Sequence, residues 1–325
     1  MPDLLLWSIV FFVSLTALII SADFFIKASE RIGLALGIPP FVIGVTLVAV
    51  GTSLPELITS IVAVTDRSSE IVVGNVVGSN ITNMGLVLGL VAILAKKIKL
   101  QFDVTKVDLP LMLGATFLIY LVIKDLKFGL IEAFICLGGM LVYLAYVLNL
   151  SKKDEVGPEN PVLPELESEE DISPFSWRDL VTLIGSGLVI YFSAKYNVVA
   201  IEELANMLDI GKEFIALTVV ALGTSLPELV VSIAAIRTDN AEMAIGNVLG
   251  SNIFNLFAVM GIPRLFGQIM IPESILTFSL PLLLVLTLLT VFVLQDREVN
   301  RWEGFVLLLF YLLFIINLAT QEIYA

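Results

Sequence analysis

The sequence predicts an all-α membrane protein of ten transmembrane helices, arranged as two inverted five-helix repeats with broken helices in spans 2, 3, 7 and 8. Three observations lead there. The chain is 58% hydrophobic and only 15% charged, with a mean hydropathy of +0.99. It divides into apolar stretches of membrane-crossing length, and it contains a long internal repeat that carries prolines and carboxylates inside those stretches.

Only intrahelical hydrogen bonds satisfy a single backbone segment in lipid, so a crossing helix needs roughly 20 apolar residues. The stretches run approximately over 4–21, 38–64, 71–95, 109–123, 128–150, 176–194, 210–236, 243–267, 275–294 and 304–319, the fourth being short. No basic residue precedes the first, so it is expected to be a retained span rather than a cleaved leader. Cys136 is the single cysteine and lies in an apolar run, which excludes an intrachain disulfide. Histidine is absent, which argues against zinc chemistry. Part of the net charge of −13 comes from Asp154 to Asp171, where Pro158, Pro161 and Pro164 also sit; the composition predicts a solvated linker. The expected organisation is a first repeat over 1–150, an acidic cytoplasmic linker over 151–175 and a second, inverted repeat over 176–325.

The string GTSLPEL at Gly51–Leu57 recurs at Gly223–Leu229, an offset of 172 residues. Between Thr46–Gly89 and Thr218–Gly261 there are no gaps, and 24 of the 44 positions are identical, more than shared hydrophobicity explains. Five spans separate equivalent points. An odd number of crossings turns the second copy upside down, an arrangement that places a transport site near the bilayer midplane. With the N-terminus outside, 12 basic residues fall on the cytoplasmic side and 6 outside. The positive-inside rule then puts the linker in the cytoplasm and both termini outside, in a multi-pass protein of the cell (plasma or inner) membrane.

Glu56 and Glu228 lie within apolar spans, where a carboxylate is costly and normally faces a cavity or a partner. Pro55 and Pro227 precede them, each removing a backbone donor about one turn from Ala49, Thr52 and Ser53 in one half and Ala221, Thr224 and Ser225 in the other. Helical spacing puts Thr52 with Glu56, Thr224 with Glu228, Ser79 with Asn83 and Ser251 with Asn255. Gly78 and Gly250 allow close helix approach or a local break. Ser60, Ser232, Asn75, Asn247, Asn80 and Asn252 read singly as interhelical hydrogen-bonding residues, and Glu132 as interfacial. The set is all oxygen, which suits Ca²⁺ with its 6–8 ligands, serves Na⁺, and fits Mg²⁺ poorly. Two glutamates balance one Ca²⁺. An empty dianionic pocket is expensive to carry through the membrane, so it should move only when neutralised, and cations competing for it would exchange.

The doubled GTSLPEL with GNVVGSNITN at Gly74–Asn83 and GNVLGSNIFN at Gly246–Asn255 resembles the alpha repeats of the cation/calcium exchanger superfamily, the prokaryotic sodium/calcium exchangers above all. The resemblance implies four central sites that share Glu56 and Glu228. Ca²⁺ would add carbonyls of Thr52 and Thr224; Na⁺ would use Ser53, Ser79, Ser225 and Ser251 with carbonyls of Ala49 and Ala221. It also implies a gate formed by the first and sixth spans. Many relatives carry Asp where this chain has Asn255. The lost charge argues against a potassium requirement and leaves the coupling ratio open.

The expected function is therefore Ca²⁺/Na⁺ antiport, with Ca²⁺/H⁺ antiport as the alternative and a passive cation channel behind both. An enzyme is not expected. Neither is a cofactor, a nucleic-acid partner or an obligate protein partner; the ligands are Ca²⁺ and Na⁺, and the surroundings are the lipid bilayer.

Overall fold

The structure is a computed structural model, and it describes residues 2–65, 69–153, 176–207 and 225–323. The linker beyond residue 153 and the start of the seventh predicted span, with Ala221 and Thr224, lie outside the described residues. Helix α1 spans Pro2–Ala35, α2 Pro40–Thr65, α3 Glu70–Ala95, α4 Asp108–Ile123 and α5 Leu130–Lys153. In the second half, α6 spans Trp177–Met207, α7 Leu226–Arg237, α8 Ala241–Arg264, α9 Ile275–Leu294 and α10 Arg301–Ile323. Among the described residues seven helices (α1, α2, α3, α5, α8, α9 and α10) are long and apolar enough to cross a membrane, and α4 is a shorter apolar helix. Helix α6 is long but includes Arg178, Asp179, Lys195, Glu202 and Glu203.

Two sequence expectations are corrected. Helices α3 and α8 are not broken: each runs on through a π turn, at Asn83–Val87 and Asn255–Val259, because neither repeat has a proline there to remove a donor. Helix α1 also continues past residue 21 and carries Lys27 and Arg31, which the sequence placed in a connection. Helix α6 likewise continues past residue 194. These two helices lie side by side and support each other's extra turns. Asn197 Nδ2 donates to Phe11 O (3.2 Å) and Ser14 Oγ (3.1 Å), and Arg31 pairs with Asp179 at 3.1 Å.

Burial shows which helices form the centre. The apolar windows of α3 and α8 are 83% and 94% buried, against 17% for α1 and 22% for α10. Helix α8 crosses the first turns of α2 at glycines. A Cβ on Gly246 would stand 2.5 Å from Phe41 O, and one on Gly250 would stand 2.5 Å from Val45 O, so only a residue without a side chain permits this approach.

Four short strands tie the halves together: β1 (Lys97–Lys99), β2 (Lys127–Phe128), β3 (Ile269–Met270) and β4 (Glu298–Asn300). Strand β1 pairs antiparallel with β4 and β2 with β3, so each ladder joins one half to the other. The 172-residue offset relates the two ladders. Shifting Lys127↔Met270 and Phe128↔Ile269 by it gives Val299↔Ile98 and Asn300↔Lys97, both of which are observed pairs.

Candidate ion-binding site

The local backbone repeats where the chain needs it to. At Ser53 the helix pauses with φ −89° and ψ 3°; at Ser225 the values are −91° and 6°. In both places Leu-Pro-Glu follows and restarts a helix, so each glutamate stands in a first turn beside unsatisfied N–H groups. Glu56 and Glu228 are both fully buried and lie within Coulombic range of each other. Among the described residues no cation pairs with either.

Across the halves, Ser53 Oγ donates to Glu228 Oε1 at 2.9 Å. Among the described residues, Glu228 Oε2, both carboxyl oxygens of Glu56 and the hydroxyl of Ser225 have no hydrogen-bond partner. Thr52 Oγ1 lies 3.1 Å from Asn247 Oδ1, 3.3 Å from Ala49 O and 3.5 Å from Ser251 Oγ, so it reaches α8 as well as its own helix. The carbonyl of Ala49 is already engaged, accepting from Ser53 N–H at 3.0 Å as well as facing Thr52. Ser53 O accepts from Leu57 N–H at 3.2 Å. These carbonyls meet a cation only through a second lone pair.

Two asparagines frame the glutamates from α3 and α8. Asn75 Nδ2 donates to Glu56 O (3.1 Å) and Ser60 Oγ (3.0 Å); Asn247 Nδ2 donates to Glu228 O (3.4 Å) and Ser232 Oγ (2.9 Å). The same bonds recur in both halves and hold each restarted helix on the central one. Ser79 Oγ reaches Asn75 Oδ1 at 3.5 Å.

Asn83 and Asn255 open the two π turns, fully buried. Their amide nitrogens and oxygens have no partner, and neither do those of Asn80 and Asn252 one turn earlier. A buried amide without a partner costs on the order of 1–3 kcal/mol per group. Asn80 and Asn252, which the sequence reads as interhelical hydrogen-bonding residues, thus make no side-chain hydrogen bond among the described residues. Among the described residues no group of three or more His, Cys, Asp and Glu side chains forms a metal cluster. The negative charge of the pocket comes from the glutamate pair alone.

The structure brings together, of the predicted set, Glu56, Glu228, Thr52, Ser53 and Ser251, with Ser79 adjoining through Asn75; Ser225 stands next to Pro227 without a hydroxyl partner. Comparisons with known proteins point the same way. The family described as sodium/calcium exchanger protein matches residues 6–151 and 179–319. The sodium/calcium exchanger MaX1 of Methanosarcina acetivorans is 35% identical, over 95% of this chain and 97% of its own length. The putative antiporter CaxA of Alkalimonas amylolytica is 34% identical, over 91% and 93%. Solved structures of the sodium-calcium exchanger NCX_Mj superpose with a TM-score of 0.80 at 30% identity, covering 96% of this chain and 99% of that one.

Proposed function

We propose that this chain, which belongs to the sodium/calcium exchanger protein family, is a secondary active antiporter that exchanges Ca²⁺ for Na⁺ across the cell membrane by alternating access, without a potassium requirement. The observation that carries the reading is the buried pair Glu56 and Glu228, set among hydroxyl and amide groups and with no cation paired to either among the described residues. A pocket of charge −2 is balanced by one Ca²⁺ or two Na⁺. Either load neutralises it and each excludes the other, which couples the two fluxes.

In this reading Glu56 and Glu228 bind both ions and Thr52 and Thr224 lend carbonyls to Ca²⁺. Ser53, Ser79, Ser225 and Ser251, with carbonyls of Ala49 and Ala221, take Na⁺, and Asn83 and Asn255 supply neutral amide oxygens. Asn255, being uncharged, offers no third anion to hold a potassium ion. The units are 1–150 and 176–325, two inverted five-span repeats joined by the cytoplasmic linker 151–175, with the termini outside. The offset-related β ladders and the matching Asn–Glu–Ser bonds support this symmetry. Helices α1 and α6, joined side by side and peripheral to the glutamates, suit a gate.

The test is radiocalcium uptake into vesicles driven by an outward sodium gradient with the proton gradient collapsed. Uptake is expected in the native chain and lost in Glu56→Gln; equal uptake by both would overturn the site. Proton antiport is the second reading, favoured by the Glu56 carboxyl having no hydrogen-bond partner among the described residues, and it predicts uptake that needs a proton gradient instead. Flux without any counter-ion gradient would indicate a channel.

A further inference from the structure

One buried carboxyl takes no part in the ion pocket. Asp108 opens α4, is fully buried, and accepts from the Tyr143 hydroxyl of α5 at 3.1 Å on Oδ1. Its Oδ2 has no partner, and among the described residues no cation pairs with it. Asp103, five residues earlier, differs on every point. Thr105 Oγ1 donates to it at 2.6 Å, Lys106 stands at 3.3 Å and Arg297 pairs with it. The Thr105 hydroxyl first, then Lys106 and Arg297, hold that carboxyl below the usual range.

Among the described residues no cation stands paired with Asp108. Helix α4 packs against α5, α8, α9 and β2. Helix α9 has no titratable residue. From α8, Glu242 Oε1 accepts the N–H groups of Gln101 and Phe102, and Arg264 is committed to Phe128 O and Gly267 O. Lys127 of β2 lies at the opposite end of α4. From α5 come Tyr143 and Tyr146, with Glu132 and Cys136 toward its start and Lys152 and Lys153 at its end, and the nearby Asp103 is paired with Lys106 and Arg297. An ionised carboxylate here, with one hydrogen bond and no cation paired with it among the described residues, would bear much of the cost of desolvation. A neutral carboxyl would not.

We propose that Asp108 is a proton-binding site separate from the ion pocket, and that its bound proton keeps the segment 100–107 strapped across the helix ends. That segment is fastened at several points: Phe102 stacks on Phe41 of α2 at 4.4 Å, Glu242 of α8 caps Gln101 and Phe102, Asp103 holds Arg297 beside β4, and Val104 O accepts Leu109 N–H at 3.0 Å. Loss of the proton leaves a bare charge that only water can relieve. Water reaches it when the start of α4 parts from Tyr143, and the strap then loosens from α2 and α8, the helices that carry Thr52, Glu56, Ser251 and Asn255.

The experiment uses the full chain in lipid nanodiscs, without any transport assay, so it is independent of the exchange reading. Infrared difference spectra taken while pH is raised are expected to show, in the native chain, a protonated-carboxyl component that is missing from Asp108→Asn, over and above any band of Glu56 and Glu228 common to both chains. Hydrogen exchange over 100–107, corrected for intrinsic rate, is expected to rise about tenfold from about pH 6 to about pH 9 in the native chain and to stay flat in Asp108→Asn. Tyr143→Phe keeps the carboxyl but removes the donor that favours its charged form, so the transition should move to higher pH. The proposal is overturned by protonated-carboxyl bands that are the same in the native chain and Asp108→Asn, by equal pH-dependent exchange in both chains, or by an unshifted transition in Tyr143→Phe.

Discussion

The two sides of the ion pocket are built from the same residues and are not in the same state. Ser53 donates to Glu228 across the halves, while the hydroxyl of the sequence-equivalent Ser225 and the carboxyl of Glu56 have no partner among the described residues. The flanking bonds of Asn75 and Asn247 to the glutamate carbonyls are nevertheless alike. Among the described contacts the scaffold is thus symmetric and the Ser–Glu contact is not, a difference that residue type does not account for. Among the described contacts, the crossing of α2 and α8 at Gly246 and Gly250 is close.

The largest effects test whether both glutamates matter despite their unequal contacts. Glu228→Gln and Glu56→Gln are each expected to lower calcium affinity at least about 100-fold, because removing one of a buried charge set leaves the rest uncompensated. Isothermal titration of the two variants would break the comparison if only one lost binding. Ser53→Ala should cost about 1.5–3 kcal/mol of Na⁺ affinity, the worth of a bond to a charged group, and Ser225→Ala less. Equal losses would mean that the two halves trade contacts readily.

Gly250→Ala should destabilise the protein by about 1–3 kcal/mol through overpacking against Val45, read from thermal unfolding in detergent. The smallest effect is at the surface. The carboxyl of Asp103 is held low, so its contribution is present above the ordinary Asp range and lost as pH falls through its own depressed range. Acid should therefore loosen the β1–β4 end before the β2–β3 end, which hydrogen exchange would report.

Much of this architecture was legible in the residues. Apolar run lengths located the helices, and the doubled GTSLPEL located the two glutamates and the pauses at Ser53 and Ser225. The π turns were not legible, because a π turn has no marker as plain as proline; the expected breaks in α3 and α8 followed from glycines that turned out to serve packing at Gly250. Asn247 and Asn75 read as generic glue, since their bonds to backbone carbonyls 19 residues away depend on how two helices lie together. Asp108 gave no signal, because an acid in a first helical turn is ordinary there and only packing reveals that it is buried. The unequal partners of Glu56 and Glu228 lie beyond any reading of a repeat whose two copies are nearly alike.

The paired strands have a consequence for how the protein can be divided. Each ladder is made by backbone of both halves, one following α3 and preceding α10, the other following α8 and preceding α5. Covalent continuity through the acidic linker is then not what keeps the two bundles in register. Severed there, they remain stitched by main-chain bonds at both ends of the central helices, and could be supplied as two separate polypeptides that rebuild one exchanger.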